Sequence, residues 1–199
     1  MASSGIGKMK TLILGAGGFG FAVREALQLA AAPSHHEVHF LDDNLTPKDI
    51  SPKIDIVGRF MDLQKVAHSY DNALVALGRN ELRQAQMEAI QRIGIPLATA
   101  IHPSAVISPL ACIEAGSIIM SASVVSINCR IGRGVIINAG TILDHNAIIE
   151  DWAHLGVGCR ISGGVHIGRS SMLYAGCVVG YGVNMEANTI AAAGSVFRV

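Results

Sequence analysis

Two sequence patterns predict an α/β + β fold, in which a small N-terminal Rossmann-like βαβαβ domain (residues 9–100) precedes a left-handed parallel β-helix (residues 101–199). From Ile101 onward every sixth residue is aliphatic through fifteen hexads, and the fifth residue of each hexad is small or compact. Before Ile101, apolar strand-like runs alternate with helix-forming segments. A constant six-residue period is typical of a hexapeptide β-helix, and neither a helical period of about 3.6 residues nor strand alternation fits it.

The six-residue period also predicts which residues stack. Three hexads close one triangular coil, so residues eighteen apart lie one above the other, at the strand spacing of about 4.8 Å. A little over five coils make a prism on the order of 25 Å tall. Gly132, Gly156, Gly168 and Gly180 hold the second position of their hexads, and we interpret them as permissive backbone where the chain bends.

The segment before the repeat is predicted to alternate strands with helices. The predicted strands cover residues 10–14, 38–41, 54–57, 73–77 and 96–100. The predicted helices cover residues 21–32, ended by Pro33, 59–69, and 81–93, closed by Gly94. This order favours a parallel sheet whose strands are joined through helices.

A glycine-rich turn follows the first predicted strand directly. Gly15, Gly17 and Gly20 satisfy G-x-G-x-x-G, and the second strand ends at Asp42 and Asp43. In dinucleotide-binding turns of this spacing a phosphate approaches the helix N-terminus and an acid binds a hydroxyl. We prefer a nucleotide-linked ligand, and a purely structural tight turn is the alternative. NAD(P) is disfavoured, because about ninety residues hold only one βαβαβ half.

A third polar cluster follows the fourth predicted strand and contains Gly78, Asn80 and Arg83. Ligands of open α/β sheets bind beyond the carboxyl ends of the strands. The glycine turn, the Asp42–Asn44 segment and this cluster all lie at such ends. We therefore expect the three segments to converge on one site.

The composition excludes several classes of partner. Lys+Arg and Asp+Glu balance at fifteen each without a basic tract, so neither nucleic acid nor an anionic membrane surface is a predicted partner. The hydrophobic fraction is 50%, but polar residues interrupt every hexad and no apolar run reaches about 18 residues. Residues 1–8 form too short and too weakly apolar a lead for a secretory signal, which predicts a cytoplasmic protein.

His145 is the first residue that the repeat does not require. It holds the third, outward-pointing position of its hexad, with Gly163 one coil on and Tyr181 two coils on. A histidine above a bare glycine predicts a groove beneath it for a thin, extended ligand. His154 lies on the next face of the prism. The alternative to a binding role is that both histidines are solvent-facing edge residues. Asp144 is not expected to help His145, because alternate residues of a strand point to opposite sides.

Neither a metal site nor a disulfide is predicted. The γ-class carbonic anhydrases use a hexapeptide prism with a His-x4-His pair, whereas His145, His154 and His166 are spaced by nine and twelve residues. Cys159 and Cys177 stack in adjacent coils, so a disulfide between them is the alternative to buried thiols. Small buried hydrophobes are the usual role of such cysteines in a reducing compartment.

Five segments together resemble the bacterial sugar acyltransferases of the sialic acid O-acetyltransferase (NeuD) and bacillosamine-pathway N-acetyltransferase (PglD) type. In chain order they are LILGAGGFG, FLDDN, ALGRNELR, AIHPSAVIS and LDHNAIIEDWAHLGVGCRISGGVHIG. The resemblance implies an acetyltransferase that moves an acetyl group from acetyl-CoA, its co-substrate, to an amino or hydroxyl group of a nucleotide-linked amino sugar. It also implies a homotrimer with active sites at subunit interfaces.

The resemblance implies roles for individual residues as well. His145 matches the general base, and Asn146 stands where the family usually has the Glu or Asp that supports it. His154, from the neighbouring subunit, and Gly163, with an amide that can face the thioester oxygen, match the acetyl-CoA site, in which we also place Tyr181. The residues that match the nucleotide-sugar pocket are Gly15, Gly17, Gly18, Asp42, Asp43, Gly78 and Asn80.

Two departures from the family pattern leave alternatives open. An amide at Asn146 orients a ring but does not stabilise its positive charge, and the sequence stops at residues 197–199, where the family generally continues. A weakly active or non-catalytic nucleotide-sugar sensor or scaffold is one alternative. An O-acetyltransferase acting on sialic acid is the other.

Overall fold

The computed structural model describes residues 8–30, 36–44 and 55–198. The first part of the chain forms a four-stranded parallel sheet with the order β3-β2-β1-β4 and three helices. Its strands are β1 (Met9–Leu14), β2 (His36–Leu41), β3 (Ile56–Gly58) and β4 (Asn72–Val75). Its helices are α1 (Gly18–Ala30), α2 (Leu63–Val66) and α3 (Asn80–Ile93).

The central strand β1 is covered on both faces of the sheet. Leu12, Ile13 and Leu14 are fully buried on both faces of the strand, as expected where helices or other layers cover a parallel sheet. Helix α3 ends as predicted, because Gly94 adopts φ +85° and its amide bonds back to the last turn. Because β1 runs parallel to both β2 and β4, the carboxyl ends of these three strands lie at the same edge of the sheet.

Two predicted elements of this part differ from the structure. Residues 60–69 of the helix predicted at 59–69 are helical, but with 3₁₀ geometry at Phe60–Asp62 and Ala67–Ser69 on either side of the four-residue α2. The strand predicted at residues 96–100 is a single bridge between Leu97 and Ala73, where Pro96 offers no N–H for a longer ladder. The predicted helix stop at Pro33 and the start of the third strand at Ile54 lie outside the described residues.

The second part is a parallel β-helix. Its strands have two residues each and recur every six residues. They are β5 (Ala100–Ile101), β6 (Val106–Ile107), β7 (Cys112–Ile113), β8 (Ile118–Ile119), β9 (Val124–Val125), β10 (Arg130–Ile131), β11 (Ile136–Ile137), β12 (Ile142–Leu143), β13 (Ile148–Ile149), β14 (His154–Leu155), β15 (Arg160–Ile161), β16 (His166–Ile167), β17 (Met172–Leu173), β18 (Val178–Val179), β19 (Asn184–Met185), β20 (Ile190–Ala191) and β21 (Val196–Phe197).

These strands stack into the three faces of a prism. Face 1 contains β5, β8, β11, β14, β17 and β20; face 2 contains β6, β9, β12, β15, β18 and β21; face 3 contains β7, β10, β13, β16 and β19. Each residue pairs with the one eighteen positions on, as in Ile118 with Ile136. The predicted register is confirmed.

Aliphatic residues at the first hexad position and small residues at the fifth fill the prism axis. Leu143, Leu155 and Leu173 are fully buried, together with Cys159 and Cys177. The two cysteines are free thiols, and burial raises the pKa of the Cys159 thiol to about 11. They act as small apolar residues of the core.

The interpretation of the second-position glycines needs correction. The left-handed backbone occurs at the fourth hexad position, for example at Gly158 (φ +70°) and Asn146 (φ +60°). Gly168 does not adopt it, and instead a Cβ there would lie 2.5 Å from the amide nitrogen of Ala187 in the next coil. The second-position glycines therefore relieve close contact between stacked coils rather than backbone strain.

The N-terminal part docks on face 1 and on the corner between faces 3 and 1. Ile118 and Ile136, which point outward from face 1, are fully buried in a cluster with Phe40. At the corner, a Cβ on Gly116 would overlap the end of Met87, so glycine makes room for helix α3. The two parts share a continuous apolar contact.

Within the described ranges, no helix combines the length and apolar composition needed to cross a membrane.

The two classes of glycine predict different responses to the same substitution. Gly168→Asn places a side chain against the next coil and should cost about 1–3 kcal/mol, the usual cost of overpacking. Gly158→Asn should cost much less, because nothing lies within 4 Å of its Cβ position and asparagine tolerates the left-handed region. Thermal unfolding measures both, and equal losses of Tm would contradict the steric explanation.

Candidate functional site

The glycine turn between β1 and α1 contains two kinds of glycine. Gly15 has φ +109°, and a Cβ there would lie 2.8 Å from the Ala76 carbonyl oxygen. A Cβ on Gly20 would overlap the Gly15 carbonyl, so this glycine lets α1 pack closely on the turn. Gly17 and Gly18 face open space instead. The interpretation as a structural tight turn thus applies to Gly15 and Gly20, whereas Gly17 and Gly18 leave room for a ligand.

Helix α1 begins at this opening with no acidic residue in its first turn. Free N–H groups and the positive end of the helix dipole therefore face outward there. The Asp42 carboxylate accepts a hydrogen bond of 2.6 Å from the Ala16 amide, which ties the end of β2 to the turn. The Asp43 carboxylate accepts one of 3.1 Å from the Phe60 amide. Both acids thus lie at the sheet edge that carries the turn.

Arg83 connects this edge to the β-helix. Its guanidinium is fully buried and donates hydrogen bonds to the carbonyl oxygens of Gly134 (2.8 Å), Leu77 (2.9 Å), Gly78 (3.2 Å) and Trp152. It also donates to the side-chain oxygen of Asn80 at 2.9 Å. These partners are neutral oxygens, and burial lowers the pKa of Arg83 to about 10. The side chain therefore stays charged at neutral pH.

Asn80 is part of the same connection. Only 4% of it is exposed, and its amide donates to the carbonyl oxygens of Ser170 (2.7 Å) and Ser171 (3.2 Å). The structure thus places Asn80 beneath the site, bonded to the prism. The ligand-binding role that its position in the motif suggested stays a prediction.

His154, on face 1, meets the N-terminal part of its own chain. Its Nδ1 lies 3.1 Å from the Gly78 carbonyl oxygen, and its ring stacks at 6.5 Å on Phe19. Because a carbonyl only accepts, Nδ1 carries the proton and Nε2 keeps a free lone pair. Burial lowers the pKa of His154 to about 4, with the charge of Arg83 contributing. The ring is a neutral acceptor at physiological pH.

A cavity of about 490 Å³ lies beside this histidine, at the corner between faces 1 and 2. Gly78, Arg79, Asn138, His154 and Tyr174 contribute to its lining. The structure thus joins the third polar segment of the sequence to the β-helix here. A larger depression, about 620 Å³, lies on face 3, far from these residues and lined by paired charges such as Arg169 and Asp151.

His145 lies in the turn between β12 and β13, at the corner between faces 2 and 3. Its Nδ1 is 2.9 Å from the side-chain nitrogen of Asn146. Asp144 also lies close, with one carboxylate oxygen 3.7 Å from Nε2 and the other accepting from the His145 amide at 2.7 Å. The expectation that Asp144 points away is wrong, because this segment is a turn and the alternation of a strand does not apply.

Gly163 lies directly beneath the His145 ring, as the register predicts. A Cβ on Gly163 would lie 2.6 Å from both Cε1 and Nε2 of the ring. The space expected to form a groove is therefore filled by the ring itself, which leans onto the next coil. The Tyr181 ring lies 6.5 Å from that of His145 and is 70% exposed. These three residues form one surface at this corner.

The two groups of candidate residues do not meet within one chain. His145, Asn146, Gly163 and Tyr181 lie at the corner opposite face 1, where the N-terminal part docks. The glycine turn, Gly78 and His154 lie on the face 1 side. Among the described residues, no group of three or more His, Cys, Asp or Glu side chains is placed to hold a metal ion.

Comparisons with known proteins place the chain among sugar acetyltransferases. Residues 10–90 match the family model of the PglD N-terminal domain. A GDP-perosamine N-acetyltransferase of Escherichia coli O157:H7 is 29% identical over 109 residues, which are 55% of this chain and 49% of that protein. The aligned segment spans about half the length of this curated relative.

Solved structures cover nearly the whole chain. A variant of the perosamine N-acetyltransferase of Caulobacter crescentus, in complex with CoA and GDP-perosamine, has a TM-score of 0.88 at 31% identity, over 99% of this chain and 91% of that chain. The acetyltransferase domain of PglB from Neisseria gonorrhoeae FA1090, in complex with acetyl coenzyme A, has a TM-score of 0.85 at 30% identity, over 96% and 93%. In two structures of the Caulobacter protein one histidine is replaced.

The lowered pKa of His154 predicts a pH dependence of stability. The unfolded chain binds a proton near the ordinary value of 6.5, whereas the folded chain resists it until about 4. The free energy of unfolding should therefore fall as pH drops from 6.5 to 4 and level off below. Urea titrations of the wild type and His154→Asn measure this, and the variant should lose part of the fall. His68→Asn, at an exposed histidine, is the control; an unchanged fall in His154→Asn would contradict the assignment.

Proposed function

The chain belongs to the family of PglD- and NeuD-like hexapeptide acetyltransferases, and from this membership we propose that it transfers the acetyl group of acetyl-CoA to an amino group of a nucleotide-linked sugar. The observation that carries the proposal is the similarity of 99% of the chain to a structure that holds both CoA and GDP-perosamine. The left-handed β-helix and the Rossmann-like part of this chain supply one candidate site for each ligand.

The nucleotide sugar is proposed to bind at the carboxyl edge of the sheet. Gly17 and Gly18 leave the N-terminus of α1 open to a diphosphate. The Asp43 carboxylate and the second oxygen of Asp42, which also accepts from the Asn44 amide at 2.8 Å, are proposed as hydrogen-bond acceptors for the nucleoside. Gly78 shapes the adjoining cavity beside His154. Gly15 and Asn80 support this edge from beneath.

Acetyl transfer is proposed to take place at His145. The sugar amine attacks the thioester carbonyl, and Nε2 of His145 takes the amine proton as the C–N bond forms. The Gly163 amide, which makes no hydrogen bond within the described part of the chain, is available to the oxyanion. Collapse of the tetrahedral intermediate breaks the C–S bond and releases the CoA thiolate, which takes the amine-derived proton from the His145 imidazolium. Tyr181 offers its exposed ring beside the CoA path.

A homotrimer is proposed to unite the two groups of residues. Face 2 carries outward aliphatic side chains, with Val106 64%, Ile142 37%, Val178 38% and Val196 53% exposed. The exposed Arg160 interrupts this row between Ile142 and Val178. Packing face 2 of three copies around a threefold axis joins the corner between faces 2 and 3 of one copy to the corner between faces 1 and 2 of the next. His145 of one subunit then faces the cavity beside His154 of its neighbour.

One observation favours a second candidate function, a weakly active or non-catalytic sensor of nucleotide sugars. Asn146 bonds to His145 where the family usually has an acid, so the imidazolium lacks a charged partner on that side. Thermal shifts separate the candidates: the enzyme should be stabilised by acetyl-CoA and by a GDP- or UDP-linked amino sugar, and the sensor by the sugar alone. Acetylation of a hydroxyl group would use the same residues, and the cytoplasmic location stays a prediction.

Replacing the base tests the proposed chemistry. His145→Ala should lower kcat by about 100-fold or more, with an unchanged thermal midpoint, because the side chain is partly exposed at a corner. Product formation followed by mass spectrometry measures this. His166→Ala, at an outward position of face 3, is the matched control. Equal turnover in the wild type and His145→Ala would overturn the assignment of the base.

Mixed assemblies test whether the site is shared between subunits. Gly18→Trp should block the nucleotide-sugar site, and His145→Ala should remove the base, so either variant alone should be nearly inactive. Coexpression should restore activity in interfaces that combine an intact His145 with an intact glycine turn. With random mixing, about a quarter of the interfaces carry both intact partners. Activity no higher than that of the separate variants would exclude a shared site.

A further inference from the structure

A chain of side-chain contacts reaches His145 from the preceding coil, on the side away from Gly163. Asn128 and Asn146 hold the fourth positions of stacked hexads, with φ of +59° and +60°. The side-chain nitrogen of Asn128 lies 3.2 Å from the side-chain oxygen of Asn146, and the nitrogen of Asn146 lies 2.9 Å from Nδ1 of His145. Asn128 thus contacts His145 only through Asn146.

The direction of this chain decides which ring nitrogen of His145 carries the proton. With the Asn146 nitrogen facing Nδ1, the amide donates, and the neutral ring must hold its proton on Nε2. Nε2 is then unable to take a proton from an acceptor amine. If both amides rotate by 180°, the Asn146 oxygen accepts from Nδ1–H, its nitrogen donates to the Asn128 oxygen, and Nε2 has a free lone pair. The heavy atoms occupy the same positions in both arrangements.

The nearest charged group favours the unreactive arrangement, in which the ring proton is on Nε2. Asp144 and Tyr181 are the titratable residues that contact the ring among the described residues, and the Asp144 carboxylate lies 3.7 Å from Nε2, where it attracts a proton. Among the described residues, Asn146 is the side chain that contacts Nδ1, and it opposes this preference only when its oxygen faces the ring. Its amide is oriented in turn by Asn128.

We propose that Asn128 is a positioning residue, which sets the tautomer of His145 through the orientation of the Asn146 amide. When the Asn146 oxygen faces the ring, the two asparagines do part of the work of the acid that the family usually places beside the histidine. The effect on rate depends on the proposed acetyl transfer, whereas the effect on the tautomer does not. The two are therefore measured separately.

Asn128→Asp is the decisive variant, since a carboxylate only accepts hydrogen bonds. It should turn the Asn146 nitrogen toward residue 128 and the Asn146 oxygen toward His145, and so enrich the tautomer protonated on Nδ1. The expected enrichment is about fivefold, the effect of one net hydrogen bond, with a similar rise in kcat and little change in KM. Asn128→Gly removes the contact and suits the left-handed backbone; because it supplies no acceptor for the Asn146 nitrogen, it should not reproduce the enrichment or the rise in kcat.

The tautomer is read from the ¹⁵N shifts of the His145 ring at a pH above its titration, with the signals assigned by their loss in His145→Gln. Asn188→Asp and Asn188→Gly are the matched controls, because Asn188 has the same hexad position and φ +60° at another corner. They should leave tautomer and kcat unchanged.

Three outcomes are informative. A shift toward the Nδ1-protonated tautomer in the aspartate variant and not in the glycine variant, with a matching change in kcat, supports the positioning role. Equal tautomer ratios in the wild type and both Asn128 variants overturn it. A shifted tautomer with unaltered kcat supports the contact chain and overturns His145 as the base, so failure of the proposed function is distinguishable from failure of this inference.

Discussion

The hydrogen bonds of Arg83 hold the two parts of this protein in one arrangement. Its fully buried guanidinium bonds to carbonyl oxygens of the N-terminal part and to those of Gly134 and Trp152 in the β-helix. A buried charge with neutral partners is tolerated only when its donors are satisfied. Loss of the side chain would leave several carbonyl groups unpaired on both sides at once. Together with the apolar contact of Ile118 and Ile136 with Phe40, this residue fixes the relative position of sheet and prism, and it bonds the Gly78 carbonyl that meets His154.

The prism itself obeys a different constraint, which is the close approach of stacked coils. Residues at the first and fifth positions are buried through the middle of the axis and partly buried at its ends, and second-position glycines such as Gly168 remove side chains where the next coil passes. The fourth position requires a left-handed backbone, and even Trp152 adopts it, with φ +65°. Trp152 is 4% exposed because it packs under helix α3. Docking of the N-terminal part therefore compensates an unfavourable backbone conformation.

The same geometry explains why the candidate site is divided. A triangular prism has three corners, and the N-terminal part covers face 1, which is opposite the corner of His145. The two histidines also differ in kind. His154 is held neutral by burial, with its proton fixed by the Gly78 carbonyl. His145 is partly exposed and contacts the Asn146 amide and the Asp144 carboxylate.

The sequence by itself determined the fold class, the eighteen-residue register and the placement of His145 over Gly163, because a strict period repeats one local geometry without error. It also pointed to the glycine turn, since G-x-G-x-x-G is a local backbone requirement. Only the tertiary structure decided the roles of Arg83 and Asn80, the neutral state of His154, the position of Asp144 and the reason for the second-position glycines. Each of these depends on contacts between segments far apart in the chain, and the six-residue repeat does not determine those contacts.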